Sequence, residues 1–401
     1  MASKSITLTD LSAGTWVDHL EWTAESTGLK LGTQSNWSLI KRTLRGGLQD
    51  GVDEVEISNG RLSMSILPTR GMGLLKGFCD GLEVGWKSPV THPVNPMFVN
   101  LVERGGLGWL AGFNELLCRC GLDSNGPPGL DVIVNNQGQK TTAELTLHGK
   151  IANLPAHTVT ATVDEAAGGT ISVTGVVDES MLFGPCLQLS STVQTSAGSN
   201  KLKITDIVTN LKATPAEMEL LYHVNFGRPF LEEQSQLVVP AREVAPRDAR
   251  AMEDLDSYAV YAPPTEGYVE QCYWFELAGG KGDETVVLLR NAHGNLGVSL
   301  RFNRKQLPCF TVWKNTQAEA DGYVTGLEPG TNYPNLKTVE REHGRVVVLK
   351  PKESYVATVE LAVLTKPEEV LATEREIAAI QGDRKPTVHP QPHPRYLPKS
   401  S

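Results

Sequence analysis

The sequence predicts an all-β protein, a large antiparallel β-sandwich with few short helices. Three observations predict it: short runs that alternate apolar with polar residues, turn residues recurring between those runs, and a near absence of helical periodicity across 401 residues. The chain divides into an N-terminal lead-in (1–30), one continuous β region (31–365), a C-terminal helix (366–382) and a proline-rich tail, extended or disordered (383–401). No fixed-period repeat and no linker interrupts the β region.

The first strands are Val55-Glu56-Ile57 and the alternating run Arg61–Pro68, joined by Ser58-Asn59-Gly60, a hairpin turn signal. Further runs follow at Ala143–Leu147, Thr158–Val163, Ile171–Val177, Leu187–Val193 and Leu202–Val208. Ala167-Gly168-Gly169 and Ala197-Gly198-Ser199-Asn200 separate them at the spacing of an antiparallel sheet. The last runs are Val286–Leu289, Gly297–Phe302, Arg345–Leu349 and Tyr355–Leu364. Pro367–Gln381 is the best helix, with Pro367-Glu368-Glu369 as an acidic first turn and Gly382 as its stop. Five prolines after it make 383–401 an extended polar arm.

Charge excludes one class of partner. With 37 Lys+Arg against 46 Asp+Glu the net charge is −9, and no basic stripe offers a nucleic acid the clustered cations it needs. A 40% hydrophobic and 21% charged composition suits a compact fold. The N-terminus carries no apolar run behind Lys4, and no segment reaches the roughly 18 consecutive apolar residues of a membrane span. The expectation is a cytoplasmic protein with no membrane partner. Its cysteines (Cys79, Cys118, Cys120, Cys186, Cys272, Cys309) are then reduced thiols, and the sequon Asn36-Trp37-Ser38 is uninformative.

Nucleotide signatures fail. Gly71-Met72-Gly73 and Gly106–Gly112 lack the spacing of a dinucleotide loop, and there is no phosphate loop, Gly-x-Ser-x-Gly elbow or His-Glu-x-x-His. What remains is polar residues in glycine- and proline-rich stretches. Arg70 stands on a tight turn past a strand, either a fork for a hydroxyl or carboxylate or a plain surface arginine. Asn114 opens a polar stretch that includes Cys118 and Cys120, two thiols that share a strand face and read as buried packing. His148 closes a strand before a turn, where a structural histidine is the plainer alternative. His223 and Asn225, two apart, share one face of a strand. Glu328 sits between an apolar run and a Pro-Gly turn, preceded by Trp313-Lys314. Spacing alone does not bring these residues together.

Five motifs in order make the chain resemble the galactose mutarotase (aldose 1-epimerase) superfamily, closest to a bacterial branch. They are Pro-Thr-Arg-Gly-Met-Gly (68–73), Cys-Gly-Leu through Gly-Pro-Pro (120–128), Leu-His-Gly-Lys-Ile (147–151), Tyr-His-Val-Asn-Phe-Gly (222–227) and Gly-Leu-Glu-Pro-Gly-Thr-Asn (326–332). The resemblance covers about residues 30 to 365 and implies a large β-sandwich with a sugar cleft. It implies His223 as general acid, Glu328 as general base, His148 on the ring-oxygen side of the sugar and Arg70 on its hydroxyls. Asn114, Asn225, Trp313 and Lys314 complete the expected sugar-binding set. Two departures stand out: Glu328-Pro329-Gly330 replaces the family's Glu-Thr-Gln, and Arg119-Cys120-Gly121-Leu122 replaces its asparagine-arginine stretch.

The implied activity is interconversion of the α and β anomers of a free sugar, by ring opening and closure and without a cofactor or metal. Two rivals follow from the same residues. One is a lyase, dehydratase or epimerase of an oxidised sugar or glycoside, with a metal on His148, His223 and a carboxylate. The other is a non-catalytic carbohydrate-binding protein. Arg70, Lys76, Lys87, Arg104, Arg119, Arg228 and Lys314 suit an anionic sugar, or else pair with Glu103, Glu115 and Asp123. Oligomeric state is left open.

Overall fold

In the computed structural model, residues 2–32 and 36–399 are described; Met1, 33–35 and 400–401, at the edges of the expected lead-in, β region and tail, lie outside the described residues. Two large sheets, of ten and fourteen strands, pack through one continuous apolar core. Neighbouring strands are antiparallel, except that Thr387–Val388 of the tail lies parallel to Ala241–Pro246. This is the all-β sandwich the alternation predicts.

The ten-stranded sheet carries that alternation openly. Thr158–Asp164, Thr170–Ser180 and Cys186–Ser196 bury every second residue, because one face meets the core and the other meets water. The lead-in joins it: Ser3–Asp10 pairs with Thr158–Asp164. The helix spans Pro367–Gln381 as expected and lays Val370 and Ile377 on Val286, Leu288, Ala362 and Leu364, on the outer side of this sheet.

The fourteen-stranded sheet is different at its centre. Gln271–Leu277, Cys309–Asn315, Val324–Gly330, Ala216–Phe226 and Leu117–Leu122 lie side by side and are buried on both faces. Their inner residues, such as Leu220, Tyr222 and Val224, join the main core. Their outer residues are covered by loops: Leu221, Cys118 and Cys120 pack against Trp109, Phe113 and Ala152. Further along, Trp274 and Cys309 are capped by Tyr333 and by Tyr396 of the tail. Fully buried Arg119 ties the sheets together through Asp206 and, at 2.7 Å, Ser191.

Candidate active site

The site grows from strand register. In Ala216–Phe226, His223 stands opposite Cys118 of one neighbour. On the other side Val224 pairs with Leu327 and Asn225 with Gly326, which sets His223 across from Glu328. Glu328 in turn pairs with Thr311, and Gly326 with Trp313. Cross-strand neighbours are about 5 Å apart, so residues more than a hundred positions apart in sequence become one row of side chains. Nε2 of His223 lies 3.3 Å from Oε1 of Glu328. Glu328 is mid-strand within Val324–Gly330, not at a strand end as its Pro-Gly neighbours suggest.

Gly326 makes that approach possible. A Cβ there would come within 2.6 Å of Glu328 Oε1 and 3.0 Å of His223 Cε1. His223 is 5% exposed and Glu328 3%. Burial, reinforced by Glu270 and opposed by Arg247, pushes the Glu328 carboxyl up to about 8. Burial and the neighbouring His148 bring His223 down to about 3. Desolvation disfavours both charged forms. The resting pair is therefore a carboxylic acid beside a neutral imidazole.

Two histidines are oriented through their Nδ1 atoms. His223 Nδ1 meets Asn225 Oδ1 at 2.6 Å, while the Asn225 amide donates to the carbonyls of Glu115 at 3.0 Å and His223 at 3.2 Å. His148 Nδ1 donates to the Asn125 carbonyl at 2.8 Å, and Asn125 N–H in turn donates to Glu219 at 2.9 Å. His148 lies on a turn with φ of +58°, an uncommon conformation for a residue with a side chain, followed by Gly149 at +69°. Half-buried His148 sits with its ring centre 5.5 Å from that of His223, and burial lowers it to about 4. Both Nε2 atoms are left to face the cluster.

Aromatic rings form the walls. Trp109 lies 4.7 Å from His148, Phe113 5.2 Å and Trp313 5.4 Å from His223, ring centre to ring centre. Trp313 Nε1 donates to Glu270 at 2.6 Å, and Glu270 pairs with Arg247 at 3.1 Å. Buried polar atoms are normally satisfied. Here Trp109 Nε1, Thr311 Oγ1 and Glu328 Oε1 have no hydrogen-bond partner, and all three belong to this cluster.

The expected residues divide. His148, His223, Glu328, Asn225 and Trp313 converge. Arg70 is 1% exposed, and its guanidinium donates to Glu115 at 2.9 Å, Gly112 O at 2.9 Å and Asn153, so its fork holds the loop behind the site rather than standing free for a sugar. Asn114 turns its amide to the carbonyls of Val90 and His92, at 3.1 and 2.6 Å. Lys314 is a correction. Successive strand residues point to opposite faces, so with Trp313 in the cluster Lys314 projects into the core, where its ammonium meets Val260 O at 2.6 Å and the Tyr261 ring at 4.8 Å. Among the described residues no three His, Cys, Asp or Glu side chains converge as a metal ligand set. The basic residues of the motif stretches are largely paired: Arg70 with Glu115, Arg119 with Asp206, Arg228 with Glu319.

Sequence reasoning missed Trp109, Phe113, Glu270, Arg247 and Thr311. Trp109 lies in the glycine run 106–112, dismissed with the dinucleotide loop; a tryptophan between glycines was the available signal. Glu270 and Arg247 carry no local pattern.

Residues 49–363 match the family described as Domain of unknown function (DUF4432). No curated protein matches the chain. A crystal structure of a "putative aldose 1-epimerase" from Klebsiella pneumoniae is 33% identical, with 100% of each chain covered and a TM-score of 0.91. A "putative aldose 1-epimerase" from Escherichia coli K12 is 15% identical over 78% of this chain and 99% of that one, with a TM-score of 0.52. The Slr1438 protein from Synechocystis is 16% identical over 81% and 98%, with a TM-score of 0.53. At those lower identities the likeness is one of fold.

Proposed function

The chain belongs to the DUF4432 family and has a galactose mutarotase-like sandwich, and from that premise we propose that it is an aldose 1-epimerase acting on a free sugar. The observation that carries the reading is the 3.3 Å approach of His223 Nε2 to Glu328 Oε1, inside a wall of aromatic rings that the faces of a sugar can stack on.

Anomer exchange needs a base on the anomeric hydroxyl and an acid on the ring oxygen. In the proposed reaction the carboxyl proton moves from Glu328 to His223 Nε2. Glu328 then takes the proton of the anomeric hydroxyl while the imidazolium protonates the ring oxygen. The C1–O5 bond breaks, the aldehyde end rotates, and the same two transfers in reverse close the ring on the other face. Each positioned acid or base typically contributes about 10²–10⁴-fold, enough for a reaction that already proceeds in water. His148 Nε2, an acceptor while Nδ1 carries the proton, takes a hydrogen bond from a sugar hydroxyl, and Trp109 Nε1 donates one. Trp313 stacks on the ring. Asn225 orients His223, and Arg70 acts one step behind it through Glu115.

The test is anomer exchange by magnetisation-transfer NMR over a panel of neutral hexoses, pentoses, 6-deoxy sugars, uronates and sugar phosphates. Exchange on a subset, lost in Glu328→Gln, supports the reading. A folded protein that exchanges none of them overturns it.

A further inference from the structure

We infer that Thr311 is a positioning residue for the reaction: its buried hydroxyl is idle in the resting site and donates to the Glu328 carboxylate once the carboxyl proton has moved to His223. The inference deepens the epimerase reading and rests on it.

Register puts the two side chains together. Thr311 pairs directly with Glu328 across Cys309–Asn315 and Val324–Gly330, so both stand on the face that carries His223, with Cβ atoms about 5 Å apart. A glutamate side chain spans that gap, so the contact takes a side-chain torsion and no change of backbone. Thr311 is 1% exposed, and among the described residues its Oγ1 has no hydrogen-bond partner. Glu328 Oε1 has none either.

The other neighbours on this face leave the hydroxyl one acceptor. Trp274 pairs with Thr311 on its far side, and Cys309 and Trp313 stand two residues away along its own strand. An indole N–H only donates. Trp313 Nε1 is already bonded to Glu270 at 2.6 Å, and the Cys309 thiol to Thr331 O at 3.9 Å. The diagonal positions on the Glu328 strand are Gly326 and Gly330, which carry no side chain. On the Trp274 strand they are Cys272, which takes a bond from Arg247 at 3.0 Å, and Glu276, which is paired with Arg395. Glu328 is thus the one carboxyl facing Thr311 without an arginine or lysine bound to it.

The energetics explain why a hydroxyl is useful there. Burying it unpaired destabilises the fold, and valine has the same shape without that cost. Glu328 meets the opposite difficulty: when its proton leaves, burial and Glu270 oppose the charge that remains, and Arg247 is the cation that favours it. The imidazolium of His223 lies to one side, 3.3 Å away in the resting geometry. A hydroxyl on the other side supplies a charge-assisted hydrogen bond that exists only after the proton has moved. Such a bond lowers the barrier without tightening the binding of sugar, so it acts on kcat rather than KM.

The experiment compares Thr311→Val and Thr311→Ser with wild type in anomer exchange, thermal unfolding and titration of the Glu328 carboxyl, read from its infrared band and assigned by the loss of that band in Glu328→Gln. Thr311→Val should lower kcat about 10–100-fold with KM within about twofold, the range for losing a hydrogen bond to a charged group. Ionisation of Glu328, and with it the alkaline limb of kcat/KM, should move up by about one pH unit, because the lost donor favoured the charged form. The variant should unfold at the wild-type temperature or above it. Thr311→Ser should restore kcat and the limb. Exchange within about threefold of wild type in Thr311→Val overturns the inference, as does a rise in KM in place of a fall in kcat, a lowered unfolding temperature, or failure of serine to rescue. If the wild type exchanges no sugar the epimerase reading falls on its own account; the infrared titration then stands alone, a shift in Thr311→Val supporting the contact with Glu328 and an unmoved band overturning it.

Discussion

The side-chain oxygen of Asn225 lies 2.6 Å from Nδ1 of His223, two residues back on the same strand. Both amide hydrogens of Asn225 go to main-chain carbonyls, so its oxygen faces the imidazole and the ring carries its proton on Nδ1. Nε2 is thereby reserved for exchange with Glu328. Asn225→Ala should lower kcat about 10–100-fold, the range for removing a group that orients a reacting side chain. The accompanying readout is the ¹⁵N spectrum of His223, which should change from one tautomer to a mixture; an unchanged spectrum contradicts the assignment.

Glu328→Gln should abolish exchange and stabilise the fold at alkaline pH. A buried carboxyl held up at about 8 keeps a proton that the unfolded chain releases near 4.5, so its contribution to stability declines as pH rises from about 4.5 to about 8. Glutamine does not titrate. At pH 8 the variant should exceed wild type by about 1–3 kcal/mol in urea unfolding, with the gap closing toward pH 5.

The pH profile follows from the single proton held by the Glu328 carboxyl. Above about 8 the pair loses it and no acid remains for the ring oxygen, so kcat/KM should fall there with a slope of one. On the acid side activity should persist until a second proton reaches His148 or His223, at about 4 and 3. A limb near 6.5, the value of an ordinary imidazole, would contradict this arrangement.

Gly326→Ala should stop the reaction without unfolding the sheet. The new methyl would meet Glu328 Oε1 and His223 Cε1, and not the main core. A loss of about 100-fold or more in exchange is expected, because small displacements of a reacting pair are costly. Thermal unfolding should move by only a few degrees.

Trp313 and Lys314 provide a matched control. Trp313→Ala should raise KM by removing a wall of the site. Lys314→Met alters the opposite face of the same strand, and KM should stay within about twofold of wild type. Equal effects on KM would mean that the strand faces are assigned wrongly.

The division between what the sequence reveals and what it hides follows the two sheets. Strands such as Thr170–Ser180 have one wet face, so their alternation is visible and leads directly to the sandwich. Val324–Gly330, which carries Glu328, and Leu117–Leu122 beside the His223 strand are dry on both faces and carry no alternation. His223, Glu328 and His148 are legible through resemblance of motifs, whereas the register that brings them together is a property of pairing between distant strands. Lys314 is misread for a local reason: adjacency to Trp313 in sequence means opposition in a strand. Trp109, Glu270 and Arg247 reach the site from loops and neighbouring strands with no signal of their own.

The histidines differ in what holds them. His223 hangs on a side chain, Asn225. His148 hangs on main chain: its ring donates to Asn125 O, its N–H to Gly126 O, and its carbonyl accepts from Gly121 N–H. A carbonyl is present whichever residue bears it, so point substitutions between 121 and 149 leave those anchors in place, except at glycines such as Gly126 and Gly149, where a Cβ would run into Asn335 O and Ser124 O. Insertion or deletion of one residue there changes the path of the chain and displaces every anchor together. Divergent copies of this protein can therefore vary in the side chains of the residues that supply these carbonyls while being intolerant of changes in length there; around His223 both are fixed, because Asn225 must keep its amide and a one-residue shift in Ala216–Phe226 would turn His223 to the other face of the sheet.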